Sequence, residues 1–141
     1  MLKLTKKTDY AIMAVNFIAC QGEGVANTRR ISEAYNIPLP LLAKILQKLT
    51  RNRIITSQSG PRGGYLLAKP ISQITIADIL RAIEGPIHII RCCEGDHSCS
   101  QLEHCSVQRP LQKIEDKLVE LLEGTTIEQM YSEDFDRLMV V

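Results

Sequence analysis

The chain has 141 residues, of which 45% are hydrophobic, and a formal net charge of +1, which suits one compact domain with its own core. No apolar run approaches the roughly 20 residues that cross a bilayer, and Met1-Leu2-Lys3-Leu4-Thr5-Lys6-Lys7 leads into an amphipathic stretch rather than an export signal; the expectation is a cytoplasmic protein with no membrane partner. In that reducing setting five cysteines, an odd count, point to metal binding or redox sensing and away from a disulfide framework.

Tyr10, Ala11, Met13, Ala14, Phe17 and Ile18 recur at three and four residues, which predicts a first helix over 8–20. Gln21-Gly22-Glu23-Gly24 stops it. Cys20 falls among those apolar residues and reads as a small buried hydrophobe. Asn27 or Thr28 caps a short second helix through Tyr35, with Ile31 and Ala34 inward. After the turn Asn36-Ile37-Pro38, a third helix is predicted over 39–52, with Leu41, Leu42, Ile45, Leu46 and Leu49 on its inner face. Pro40 is tolerated there because it falls in the first turn, where its missing N–H has no helical partner. Two short helices joined by about three residues match a helix-turn-helix. The β-branched run Arg53-Ile54-Ile55-Thr56-Ser57-Gln58 and the strand Tyr65-Leu66-Leu67-Ala68 flank the glycine-rich turn Ser59-Gly60-Pro61-Arg62-Gly63-Gly64. Helix, turn, helix and hairpin in that order describe a winged helix.

Pro70 closes this unit. Thr75 caps a fourth helix carrying Ile76, Ile79, Leu80 and Ile83, stopped by Gly85-Pro86. A polar, cysteine-rich loop occupies 92–105. Beyond it Val107, Leu111, Ile114, Leu118, Leu121 and Leu122 mark a long amphipathic helix ending at Gly124, its flanks charged by Lys113, Glu115, Asp116, Lys117 and Glu120. Its narrow stripe suits pairing with a second copy, the geometry that two-fold DNA binders need. The expected fold is mainly α with a small β-hairpin wing. Residues 1–70 form a winged helix-turn-helix; residues 71–141 supply a helix, the cysteine loop and a dimerisation helix in the same compact domain.

The near-zero net charge hides a division. Residues 1–70 hold eleven basic and three acidic side chains, a net of +8; residues 71–141 hold six and thirteen, a net of −7. A basic winged helix points to a polyanion, double-stranded DNA, as its partner. The second helix of such a motif enters the major groove, so Leu39, Pro40, Ala43, Lys44 and Gln47 are placed for base edges and Lys48 and Arg51 for phosphates. Thr28, Arg29 and Arg30 open the preceding helix and suit backbone contacts. Arg62 at the wing tip suits a narrow minor groove. A solvated, solubilising side chain is the competing account of each taken singly.

Cys93, Cys99 and Cys105 stand at equal six-residue intervals in a stretch that cannot build an apolar core. Thiolates on a soft metal centre would organise it. Structural zinc sites bring their ligands in close pairs, so the wider spacing favours an iron–sulfur cluster. Cys92, beside the first thiol, and His88, His97 and His104 remain possible substitute ligands; a solvated loop histidine is the simpler account of each.

Leu4-Thr5-Lys6-Lys7-Thr8-Asp9-Tyr10-Ala11, Leu41-Leu42-Ala43-Lys44-Ile45-Leu46, Gly60-Pro61-Arg62-Gly63-Gly64-Tyr65-Leu66-Leu67, Ala82-Ile83-Glu84-Gly85-Pro86 and the three spaced cysteines, in that order, resemble the IscR/NsrR-type (Rrf-two family) bacterial iron–sulfur transcriptional regulators across residues 1–130. The resemblance implies a homodimeric winged-helix repressor whose cluster reports iron–sulfur status, redox state or nitric oxide, with cluster-biogenesis genes as its targets. It also implies the ligand set. Cys93, Cys99 and Cys105 supply thiolates. The histidine that completes the IscR branch is replaced by Gln108, so Asp9 of the partner subunit, in the Thr-Asp context of the NsrR branch, is the expected fourth. The alternative account of Asp9 is a carboxylate favoured by the helix dipole. Three thiolates and a carboxylate lean toward a [4Fe–4S] over a [2Fe–2S] cluster. Ser59 stands where the IscR-like wing carries an arginine, which passes minor-groove reading to Arg62. Competing functions are a nitric-oxide-responsive repressor with the same chemistry and a zinc- or thiol-only redox regulator. No nucleophile elbow, phosphate loop or histidine-rich metal motif points to an enzyme.

Overall fold

The computed structural model describes residues 4–90 and 99–132. Three helices come first, α1 (Lys6–Cys20), α2 (Thr28–Tyr35) and α3 (Leu39–Arg51), then the hairpin β1 (Ile55–Gln58) and β2 (Gly64–Leu67), then α4 (Ile76–Glu84), α5 (Gln108–Gly124) and the single turn α6 (Ile127–Met130). The fold is mainly helical with one small wing, as the periodicities predict.

Local chemistry sets the boundaries. Asn27 caps α2, its side-chain oxygen accepting from the Arg29 N–H at 2.7 Å. Asn36 ends α2 in the left-handed region (φ 52°), a conformation asparagine tolerates better than most residues. The Ser32 hydroxyl donates to the Ile37 carbonyl at 2.6 Å and so braces the turn into α3. α3 buries Leu42, Ile45, Leu46 and Leu49 and leaves Leu41 half-buried. Its end departs from expectation. Arg53, read as the start of a strand, is left-handed at φ 58°; its N–H reaches the Thr50 carbonyl and the Ile54 N–H the Leu49 carbonyl. That is the Schellman closure usually given to glycine, and the strand begins only at Ile55.

β1 and β2 pair antiparallel from Ile55↔Leu67 to Gln58↔Gly64. Ala26, ahead of α2, exchanges two backbone hydrogen bonds of 2.9 Å with Tyr65, so the wing is stitched to the motif it flanks. Gly64 lies so close to Ala26 that any Cβ would sit 2.3 Å from the Ala26 carbonyl oxygen.

One core runs from α1, α2 and α3 through α4 to Ile127. α4 packs on both α1 and α3, and α5 on α4. Thr75 caps α4 reciprocally with Asp78. The Lys69 ammonium lies 2.9 Å from the Asp78 carboxylate. Burial opposes the Asp78 charge, but Lys69 and the Thr75 backbone and hydroxyl outweigh it and hold the carboxyl below its ordinary range. Residues past α5 fold back: the Ile127 N–H donates to the Ile74 carbonyl at 2.8 Å, and Thr126 caps α6 with Gln129. Two burial expectations fail at element ends. Cys20 is exposed because it is the last residue of α1, and Ala34 is exposed because an eight-residue α2 reaches the core through Ile31 alone.

Candidate DNA-binding and sensing sites

The outer face of α3 presents Leu39, Pro40, Lys44, Gln47 and Arg51, all exposed, with Ala43 half-buried between them. Leu39, a large apolar side chain, is 43% exposed at the start of the helix. Arg29 and Arg30 are exposed on the first turn of α2 beside a half-buried Thr28, and Arg62 is exposed at the wing tip. Gln47 and Arg51, with Thr50, Ser57 and Tyr65, line a small cleft of about 240 Å³ between α3 and the wing. Lys48 is engaged elsewhere. Its ammonium donates to the Ile83 carbonyl at 2.8 Å, a bond that caps the C-terminus of α4 although the side chain is otherwise exposed.

On the sensing side, Cys92, Cys93 and His97 lie outside the described residues. Cys99 is an exposed free thiol and Cys105 a half-buried one; residues 99–107 bury no side chain. Asp9 is exposed in the first turn of α1. Within one chain and among the described residues, no three histidine, cysteine, aspartate or glutamate side chains gather at metal-binding distance, so Asp9, Cys99 and Cys105 do not meet in a single protomer. His104 is exposed, and His88 faces Glu115.

Around the root of this loop the last turn of α4 is held from two directions. Beside the Lys48 bond to Ile83, the Thr5 and Thr8 hydroxyls both donate to Glu84 Oε1, the latter at 3.0 Å with Thr8 wholly buried. The helix that carries Asp9 is thereby fixed to the helix that leads into the cysteines. A mostly apolar cleft of about 350 Å³ opens alongside, walled by Leu4, Leu80, Ile87, Leu118 and Leu122. Val107 (56% exposed), at the N-cap of α5, and Leu111, Ile114 (52%) and Leu121 (46%) on the helix form an uncovered stripe, with Leu118 half-buried in it. Their alternating spacing of four and three is the a/d repeat of paired helices.

Residues 4–133 match the Rrf2 family, described as an iron-dependent transcriptional regulator. The chain belongs to the Rrf2 family. It is similar to Protein aau3 of Rhizobium meliloti (strain 1021), 32% identical over 92% of this chain and 84% of that protein. It is also similar to the HTH-type transcriptional regulator IscR of Photorhabdus laumondii, 29% identical over 92% and 79%. Among solved structures, CymR, the global cysteine regulator of B. subtilis, superposes with a TM-score of 0.72 at 25% identity, covering 94% of this chain and all of that one. IscR of T. potens gives 0.71 at 25%, covering 99% and 93%. This Rrf2 protein is thus a winged-helix transcriptional regulator rather than an enzyme, in the family that the sequence motifs resemble. No helix among the described residues is long and apolar enough to cross a membrane.

What sequence reasoning missed is Glu115. It reads as one more charged flank of α5, yet it is buried against the backbone of residues 89–90. No periodicity signals this, because the partner groups are main-chain amides.

Proposed function

We propose that this Rrf2 protein is a homodimeric repressor that binds operator DNA through its winged helix and senses iron–sulfur status, redox state or nitric oxide through an iron–sulfur cluster, [4Fe–4S] rather than [2Fe–2S], with cluster-biogenesis genes as its targets. The supporting observation is the equal spacing of Cys93, Cys99 and Cys105 in the sequence between α4 and α5, in a family described as iron-dependent. The donor set fits such a group: Cys99 and Cys105 are unbridged and accessible, and their surroundings have no apolar core to give up. Bound there, the cluster would supply an iron centre whose loss or modification is chemically distinguishable from its intact state. Asp9 of the partner subunit is the fourth ligand in this reading, in the Thr-Asp context of the NsrR branch and exposed on the first turn of α1. A carboxylate is harder than thiolate and marks the labile corner. Two-fold pairing along the α5 stripe covers Val107, Leu111, Ile114 and Leu121 and sets the spacing of the two α3 helices. α1, carrying Asp9, packs directly on α3, so the state of the ligand and the pose of the reading helix share one contact. Leu39, Pro40, Ala43, Lys44 and Gln47 meet base edges, with Thr28, Arg29, Arg30 and Arg51 on phosphates and Arg62 in the minor groove.

A second reading draws support from CymR of Staphylococcus aureus in its oxidized form, which superposes with a TM-score of 0.68 at 25% identity. In it the cysteines respond directly as thiols. Anaerobic purification separates the two. The cluster reading expects coloured protein with stoichiometric iron and sulfide and a cluster-type Mössbauer spectrum, and Asp9→Ala loses its cluster faster while keeping its fold. Colourless, iron-free protein with full operator affinity refutes it.

A further inference from the structure

Glu115 is the one buried charged side chain among the described residues, at 7% exposure. A buried carboxylate is costly unless its oxygens are satisfied. Here Oε2 accepts from two consecutive backbone amides, Ile89 and Ile90, the latter at 3.2 Å, and Oε1 lies 3.5 Å from His88 Nδ1. Burial pushes the carboxyl pKa up, but the two amides and His88 outweigh it and hold Glu115 below the ordinary carboxylate range. Successive amides converging on one oxygen are the arrangement by which backbone binds anions. In this chain the anion is internal.

Residues 87–90 belong to no helix or strand. Their course is fixed by the side chain they grip, which stands on α5. Ile90 precedes Cys92 by two residues and Cys93 by three, so the grip falls at the root of the segment that carries them in the sequence. We propose, resting on the cluster reading above, that Glu115 is a positioning residue for the sensor: it fastens the root of the first thiolate's segment to the dimerisation helix and so preorganises the ligand set before iron arrives. The same grip ties residues 89–90 to α5.

The test is Glu115→Gln in the full-length protein, which keeps the side chain's shape and one acceptor but removes the charge. The expected result is a native circular dichroism spectrum for the apoprotein, about tenfold faster cluster loss to a chelator, within the range seen when outer-sphere partners of metal ligands are removed, and a shifted visible circular dichroism band. Amide exchange at Ile89 and Ile90 should also rise by about tenfold in the apoprotein, since both donors lose a charged acceptor. His88→Ala, which removes only the weaker third partner, should show a smaller change in the same direction. A Glu115→Gln holoprotein with wild-type spectrum and wild-type cluster loss overturns the inference. If that variant does not fold, wild-type cluster retention in His88→Ala overturns it instead. Wild-type protein that binds no iron sinks the proposed function itself, whereas a failure confined to the variants sinks this inference alone.

Discussion

Gly64→Ala isolates the joint between wing and helix-turn-helix. A methyl group there would stand 2.3 Å from the Ala26 oxygen, 2.8 Å from the Ala26 carbonyl carbon and 2.7 Å from Val25 Cγ1. Two of these are backbone atoms, which cannot swing aside as a side-chain tip can. Relief requires parting residue 26 from β2 and giving up the two 2.9 Å bonds between Ala26 and Tyr65. At roughly 1 kcal/mol net per bond, and about 1 more for displacing packed neighbours, the loss is about 3 kcal/mol. In a chain of this size that lowers Tm by about 10 °C. Residues 25–26 run directly into the Asn27 cap, so operator affinity should fall with stability. Melting of the apoprotein followed by circular dichroism, with a fluorescence anisotropy titration of operator DNA, measures both. Gly124→Ala is the control: nothing lies within 4 Å of its added Cβ, and an alanine in a helix should be neutral or stabilising by about 0.5 kcal/mol. A Gly64→Ala melting point within roughly 2 °C of wild type would refute the reasoning, since even one lost bond predicts more.

Asp78→Asn should cost about 1 kcal/mol at neutral pH through the weakened α4 cap and lost Lys69 pairing. The folded pKa of Asp78 is depressed, so its contribution is present above the unfolded value of 3.8 and fades as pH falls through the lower folded one; urea midpoints of the two proteins should converge in that acid range. Arg51→Gln should weaken operator binding uniformly across sequences and flatten the plot of log affinity against log salt by about 1. Lys48→Gln, by contrast, should leave that slope unchanged while lowering the melting point, because its ammonium is bonded to Ile83.

Most of the fold was legible where a residue's own chemistry decides its conformation. Asn27 as a cap, Pro40 in a first turn, Thr75 ahead of α4 and the glycine-rich hairpin each declare a boundary without help from distant contacts. Legibility failed where the partner is main chain or remote in sequence. Arg53 takes a glycine's conformation because the end of α3 must turn at once into β1, a demand that no residue type at 53 announces. Glu115 looks solvated until residues 89–90 are known to lie against it, and the bond from Lys48 to the Ile83 carbonyl goes unread until α4 comes to rest beside it. α6 went unread because four residues carry too little periodicity, although Thr126 and Gln129 spell its cap. The α5 stripe was readable as spacing, and the structure adds that it is exposed in a single chain. Of the candidate ligands, Asp9 lies on α1 and Cys99 and Cys105 lie in the irregular segment before α5, while Cys93 lies outside the described residues.

The last turn of α4 gathers bonds from α1 through Thr5 and Thr8 and from α3 through Lys48. α3 therefore does not ride freely on its turn; it is moored at its far end to α4, the helix that precedes the cysteines in the sequence. Shifting one helix against the other means slipping a cationic anchor line, which narrows the poses open to α3 before any duplex is met.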